Sequence, residues 1–235
     1  MQMRWPAVAR TTHKWLALVV AVQAVIWMVS GLYMTAVHID IIHGDRLVRT
    51  PEPRALPVEG LVEPAQLARL APGLKSARLD AQLGQPVWIV QAEAGRALFD
   101  ARTGEKLSPL AEDQARARAK ALFAEDGEIV SAELLTKVPL EIQTRPPPVW
   151  RIEFEGAWRP TFYISPDTGE LVSRRHDLWR AFDVMWMLHI MDYDDRMDVD
   201  TPLNLAFTWL AVASAASGGW LLLYSFRRRR RTKAA

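Results

Sequence analysis

The amino-acid sequence predicts a membrane-anchored α+β protein, in which two transmembrane helices flank a segment built from two tandem repeats of a short helix and a small antiparallel sheet. Three observations predict this fold class: two long uncharged apolar runs, basic residues outside both runs, and a strand-and-turn pattern that occurs twice between them. The 235 residues are 50% hydrophobic and 24% charged, which is too apolar for a disordered chain and too charged for a chain buried wholly in a membrane.

Each apolar run is long enough to cross a lipid bilayer as a helix. Residues 15–39 contain no charged side chain and would span about 37 Å, against a hydrocarbon core of about 30 Å. Residues 204–226 form the second run and are equally free of charge. Because the first run exceeds the roughly 7–15 apolar residues of a cleaved signal peptide, we expect it to remain as an anchor.

The charge distribution predicts the orientation in the membrane. Residues 1–14 and 227–235 are basic, and no Asp or Glu occurs before Asp40 or after Asp200. By the positive-inside rule, both termini are cytoplasmic and the acidic centre is extracytoplasmic. The run of arginines in the tail could also bind nucleic acid, but its position directly after an apolar helix favours a topology anchor, and we expect no nucleic-acid partner.

The central segment repeats one pattern. Pro-Val-Trp occurs at residues 86–88 and again at 148–150, and Thr-Gly-Glu occurs at 103–105 and again at 168–170. Strands rich in aromatic and β-branched residues that end at a Gly-containing turn are typical of small antiparallel sheets. The sequence therefore predicts two copies of one helix-plus-sheet unit.

The predicted boundaries place repeat 1 at residues 40–110 and repeat 2 at residues 111–175. In repeat 2, Ser108 is expected to cap a helix that continues through Ala124. Trp88 and Trp150 each lie on the strand that precedes the Thr-Gly-Glu turn. We therefore expect the two tryptophans to occupy equivalent core positions.

These residues resemble the PepSY domain family. Residues 99–105, Phe-Asp-Ala-Arg-Thr-Gly-Glu, match the family's hairpin motif, and residues 164–170 match it with the Asp moved next to the Thr. The first apolar run is similar to the PepSY-associated membrane helix in residues 13–16 and 27–34. The resemblance implies a bacterial inner-membrane protein with a periplasmic binding or regulatory domain. Larger relatives with four membrane helices resemble ferric-siderophore reductases that carry b-type haem between histidines.

The resemblance implies two candidate functions. The first is a part in periplasmic electron transfer to iron, with haem-assisted reduction of a ferric siderophore as its specific form. The alternative is a non-catalytic periplasmic module that binds or regulates a partner protein or protease. Besides the bilayer, a second copy or another inner-membrane protein is a candidate partner, because two helices make a thin bundle. Whether the chain is an enzyme stays open.

Because the chain contains no Cys, the axial ligands of a haem would be His or Met, and the histidines are the candidates. His13 and His38 lie about 37 Å apart along the first helix, so they could serve only separate haems. His189 lies on the apolar face of a predicted amphipathic helix within residues 176–203, resting on the outer membrane surface at the depth of His38. His38 and His189 are therefore the predicted intrachain pair. The competing interpretation is that His38 is a polar residue at the membrane interface, that His189 packs against a backbone carbonyl, and that His13 contacts a lipid headgroup. His176 is expected to face water.

The acidic run 192–200 does not predict a metal site. An EF-hand loop that started at Asp192 would need Gly where Met197 stands. A solvated or helix-capping loop is the main interpretation, and a hard cation is the minor one. Signatures of hydrolases and nucleotide-binding proteins do not occur in the sequence.

Overall fold

The computed structural model describes residues 5–50, 55–56 and 59–225, so the basic tail 227–235, on which the orientation prediction partly depends, lies outside it. The chain divides into a helical unit, Met1–Val37 with Phe182–Ala235, and a sheet unit, His38–Ala181. In chain order the elements are α1 (Trp5–Ala36), α2 (Ile39–His43), α3 (Pro64–Leu70), β1 (Ser76–Gln82), β2 (Gln85–Ala92), β3 (Gly95–Asp100), α4 (Glu112–Leu122), β4 (Ile129–Leu135), β5 (Val149–Phe154), β6 (Thr161–Ile164), β7 (Leu171–Arg175), α5 (Asp177–Ile190) and α6 (Pro202–Ser225), with 3-10 turns at Asp45–Leu47 and Leu140–Ile142.

The helical unit contains two helices that are long and apolar enough to cross a membrane. They are α1, with 32 residues, and Pro202–Leu223 of α6, with 22 residues. Both predicted spans are therefore helical, but their bounds differ from the prediction. Helix α1 already includes Trp5, and it ends at Ala36 because His38 adopts an extended backbone (φ −61°, ψ 139°).

Helices α1 and α6 pack against each other in an antiparallel arrangement. The rings of Trp5 and Trp220 lie 6.3 Å apart between centroids, and His13 contacts Ser217. The start of the described part of α1 and the last turns of α6 therefore lie at the same end of the helix pair. Gly218, one of the small residues of α6, faces the His13 ring, and the absence of a side chain there allows the close approach.

The first sheet of the sheet unit is an antiparallel meander of order β1-β2-β3. Side chains alternate between its two faces, so that Val90 and Phe99 point to one face and Val87 and Leu98 to the other. Helix α3 covers the first face through the fully buried Leu67. A separate buried cluster forms on the second face. Both faces of this small sheet are thus covered, which explains why β2 is almost continuously apolar.

The second sheet has four antiparallel strands in the order β4-β5-β6-β7. Helix α4 packs on one face, where three aromatic rings meet. Phe123 stacks on Phe154 at 4.0 Å between centroids, and Phe154 meets Phe162 edge-on at 5.3 Å. Such ring pairs stabilise a core beyond the area that they bury. The predicted combination of a helix and an antiparallel sheet is therefore present in this segment.

The start of α4 differs from the prediction. The helix begins at Glu112, and Ser108 does not cap it, because the Ser108 hydroxyl accepts a hydrogen bond from Leu98 N at 3.1 Å. Instead the Gln114 side chain accepts from Ala111 N at 3.2 Å. The same contact opens α3, where Gln66 accepts from Glu63 N at 3.2 Å. A Gln at the third helical position therefore satisfies the first backbone donor in both helices.

The two tryptophans make the same kind of contact. The Trp88 indole donates to Val62 O at 3.1 Å, and the Trp150 indole donates to Leu110 O at 3.0 Å. In each case the acceptor is the residue just before the helix cap. Trp150 is 9% exposed, whereas Trp88 is only partly buried.

The turn of the second sheet docks on the first sheet. Leu110 N donates to Pro166 O at 2.8 Å, and the Leu110 side chain belongs to the cluster on the second face of the first sheet. Glu170 accepts from Arg96 at 2.8 Å and also pairs with Arg78. The Thr-Gly-Glu turn therefore joins the two sheets through backbone, apolar and ionic contacts.

We expect Trp150→Ala to lower the free energy of unfolding of the sheet unit by about 3–5 kcal/mol, because it empties a core site and leaves Leu110 O without its donor. Pulse proteolysis of the full chain in detergent across a urea series measures this change. Trp158→Ala is the matched control, because Trp158 is 57% exposed; it should change the value by no more than about 0.5 kcal/mol. Equal losses for the two variants would contradict the assignment of Trp150 to the core.

Candidate functional site

His13 is held by the serines of α6. Its Nδ1 lies 3.0 Å from Ser217 Oγ and 3.3 Å from Ser214 O. The Ser217 hydroxyl already donates to Ser214 O at 2.7 Å, so it accepts from His13. This assignment places the ring proton on Nδ1 and leaves Nε2 as the acceptor nitrogen.

His189 repeats this arrangement on α1. Its Nδ1 lies 2.9 Å from Ser30 Oγ, and the Ser30 hydroxyl donates to Ile26 O at 2.7 Å. Ser30 therefore accepts from His189, and Nε2 is again the acceptor nitrogen. Gly31 lies beside the ring, as Gly218 lies beside His13. Each histidine therefore contacts a Ser-Gly pair on the facing helix.

The end of α5 does not rest at the end of α1, where a surface helix was expected. Trp27 donates to His189 O at 2.8 Å, and the buried Gln23 donates to Leu188 O at 3.4 Å. The last carbonyls of a helix have no partner within the helix, and these two α1 side chains supply the donors. The segment therefore packs beside the interior of the candidate span. Gln23, a polar residue within an apolar run, was the signal for this contact in the sequence.

His38 belongs to the sheet unit and caps α2. Its Nδ1 accepts from Asp40 N at 3.3 Å, and its side chain is 69% exposed. His38 is therefore an exposed helix-capping residue, and its position at a membrane interface stays a prediction. His38 and His189 lie in different units, so their pairing across a haem stays a prediction.

The donor atoms fit an axial haem ligand only in part. A ligating histidine commonly donates from its second nitrogen, as Nδ1 of His13 and of His189 does here. However, His13 and Ser30, the partner of His189, are about 25 Å apart along α1. Within the described part of the helical unit, His13 and His189 therefore lie at separate levels of the helix pair. In the described residues, no group of three or more His, Cys, Asp or Glu side chains could hold a metal ion.

The acidic loop folds on one of its own carboxylates. Asp192 is buried and accepts from the backbone N–H groups of Asp194, Met197 and Asp198 at 2.9 to 3.3 Å. These bonds lower the pKa of Asp192 to about 2, since they stabilise the ionised carboxyl. The carboxylate thus closes the loop, in line with the main interpretation of this segment.

A polar cluster on the second sheet was missed at the sequence level. The fully buried Tyr163 donates its hydroxyl proton to Glu141, and Arg180 donates to Glu141 at 2.9 Å and to Thr161 at 3.1 Å. Burial and the adjacent Glu141 carboxylate raise the pKa of Tyr163. The charges of Glu141 and Arg180 compensate each other, so the cluster holds the start of α5 on the sheet rather than offering a reactive group.

A groove runs along β7, the last strand of the second sheet. Its walls outside β7 are His43, Arg145 and Trp179. The Arg175 guanidinium lies 3.9 Å from the centroid of the Trp179 ring, and Arg174 donates to His43 O at 2.8 Å. Consecutive arginines in a strand at a sheet edge were the sequence signal for this groove, which we call the β7 groove.

His176 does not face water as expected. It is 4% exposed, and its ring lies so close to Gly44 that a Cβ there would be 3.1 Å from His176 Cδ2. Gly44 ends α2 in the left-handed region (φ 68°), which brings the turn over the imidazole. Burial lowers the pKa of His176, against an opposing effect of hydrogen bonds with the backbone of Ile41 and Ile42. His176 Nε2 is one of the buried atoms for which no partner is found in the described residues.

Comparison with known protein families identifies part of the sheet unit. Residues 109–175 match the family described as the peptidase propeptide and YPEB domain, PepSY. The match covers α4 and the four strands of the second sheet and therefore confirms the resemblance found from the sequence for this segment. Comparisons with curated proteins and with solved structures give no significant match.

We expect acid to destabilise the sheet unit through His176. Because the folded-state pKa is below the usual value of about 6.5, the unfolded chain binds a proton first as the pH falls. Stability is then fully present above about pH 6.5 and declines below it. Urea unfolding of the full chain at a series of pH values should show a shallower decline for His176→Gln. The exposed His43→Gln is the control, and an identical slope in wild type and His176→Gln would exclude this role.

Proposed function

Because residues 109–175 form a PepSY domain, we propose that this chain is a non-catalytic binding module, held at the outer face of a bacterial inner membrane by its two apolar helices. The observation that carries the proposal is the β7 groove, which lies on an edge strand of that domain and is lined by arginines. The largely buried side chains of Glu141 and Arg180 pair with each other at 2.9 Å. The groove therefore supports recognition rather than catalysis.

The antiparallel contact between α1 and α6 supports a topology with both termini in the cytoplasm. Trp5 contacts Trp220, so the start of the described part of α1 and the last turns of α6 lie at one end of the helix pair. Arg10 and Lys14 lie in α1 toward that end, and no acidic residue accompanies them. Cations that flank a span favour the cytoplasmic side, so these residues support a periplasmic sheet unit.

We further propose that the sheet unit consists of two PepSY-like repeats. The matching indole contacts of Trp88 and Trp150 and the matching helix starts at Gln66 and Gln114 support this. The first repeat has the smaller sheet. Its sheet has three strands, and an isolated bridge between Phe99 and Lys106 stands at the position of a fourth. The first repeat then serves as a platform for the turn of the second.

Haem-assisted electron transfer to a ferric siderophore is the second candidate function. It is favoured by the Nδ1 hydrogen bonds of His13 and His189, which leave both Nε2 atoms as acceptors. A haem held by two imidazoles would supply one-electron redox chemistry. The predicted second ligand of the His189 site is His38, and a second copy or another membrane protein would complete the site at His13. The protein's own part would be to fix the orientation of each ring through Ser217 and Ser30.

The topology can be tested with single cysteines, because the chain has none of its own. We expect Val130→Cys, whose native side chain is 62% exposed, to react with a membrane-impermeant maleimide in intact spheroplasts. Ala235→Cys should react only after the membrane is permeabilised. Labelling of Ala235→Cys and protection of Val130→Cys in intact spheroplasts would reverse the proposed orientation.

The optical spectrum separates the two functions. For a binding module, membranes enriched in the chain and supplied with haem should show no reducible b-type α band above that of membranes without it. His189→Ala should then change only the packing of α5, because it removes the contact with Ser30. A band that His189→Ala abolishes and the control His43→Ala retains would favour electron transfer over the binding module.

A further inference from the structure

The β7 groove lies at an open edge of the sheet. In the described part of the chain, β7 pairs with β6 on one side and with no strand on the other. Such an edge presents backbone N–H and C=O groups that can pair with another extended segment. With five residues, β7 offers an edge of roughly 17 Å. The geometry therefore selects an extended ligand over a compact one.

The charge of the groove selects an acidic ligand. Its lining includes Arg145, Arg174, Arg175 and His43, and no Asp or Glu belongs to the lining among the described residues. Of the lining arginines, Arg174 pairs with an acid outside the lining, Asp45. A ligand that carries carboxylates would gain charge-assisted hydrogen bonds from these guanidinium groups.

The arginines are held in place before any ligand arrives. Arg175 donates to Glu141 O at 2.8 Å and to Arg174 O at 2.7 Å, and its guanidinium lies over Trp179. Arg174 donates to His43 O. Side chains that are already ordered lose little further conformational entropy on binding, so this arrangement favours recognition.

The register of β7 indicates the pattern of the ligand. Arg174 lies opposite Phe162 and Arg175 opposite Thr161, so the two arginines project to opposite faces of the sheet. A strand laid along β7 also projects neighbouring side chains to opposite faces. Two adjacent acidic residues in that strand would therefore meet both arginines.

We infer that the free edge of β7 binds an extended acidic segment of a periplasmic partner protein, which joins the sheet as a fifth strand. This inference rests on the proposed function and names the partner of that binding module.

Three synthetic peptides test the inference on the full chain in nanodiscs. The first has eight residues, with Glu-Glu pairs separated by valines; the second has Gln in place of Glu; the third keeps the glutamates but is N-methylated at alternate backbone nitrogens. Fluorescence anisotropy should show binding of the first peptide and at least about tenfold weaker binding of the other two, since each loses several hydrogen bonds. Arg145→Gln should weaken the first peptide similarly, and Arg116→Gln on α4 should not.

Each outcome decides a separate point. If the methylated and unmethylated acidic peptides bind equally, the ligand does not pair with β7 as a strand. Displacement of the peptide by equimolar citrate would contradict the same claim. Either result would indicate a module that binds small anions. Binding by none of the peptides would overturn the inference, while the cysteine-labelling and spectral tests would still decide the proposed function. An acidic peptide that binds the wild type and Arg145→Gln equally would place its site outside the β7 groove.

Discussion

Leu110 is the residue on which the arrangement of the sheet unit depends. Its carbonyl accepts from the Trp150 indole, its N–H donates to Pro166 O, and its side chain is buried against the first sheet. One residue thus sets the start of α4, the position of the Thr-Gly-Glu turn and the contact between the two sheets. With the turn fixed, Glu170 reaches Arg96, and β7 follows directly as the edge strand. The position of the β7 groove therefore depends on the contacts of Leu110 and of the Thr-Gly-Glu turn that precedes β7.

In the helical unit, the main constraint is that polar side chains on apolar helices need hydrogen-bond partners. Serines whose hydroxyls are already committed to helix carbonyls receive His13 and His189, and a glycine beside each serine makes room for the ring. The same pairs orient both imidazoles with Nε2 unused by the serine.

Features with a local cause could be predicted from the sequence. Charge-free length predicted both apolar helices, and the repeated Pro-Val-Trp and Thr-Gly-Glu patterns predicted the sheets and the PepSY domain. Features that depend on contacts between distant residues could not. Ser108 does not cap α4 because its hydroxyl accepts a hydrogen bond from Leu98 N. His176 is buried because Gly44, at the end of α2, packs against its ring. The β7 groove was missed for the same reason, because His43, Arg145 and Trp179 are far apart in the chain.

The proposed binding of an extended acidic segment at the edge of β7 can be tested on the full chain. Hydrogen–deuterium exchange of the full chain in nanodiscs, with and without the paired-glutamate peptide, tests this claim most directly. The opposite edge strand, β4, provides an internal control within the same sheet. The account predicts slower exchange at Leu171–Arg175 and unchanged exchange at Ile129–Leu135. Protection of β4 alone, or of neither strand under conditions where the peptide is bound, would contradict it.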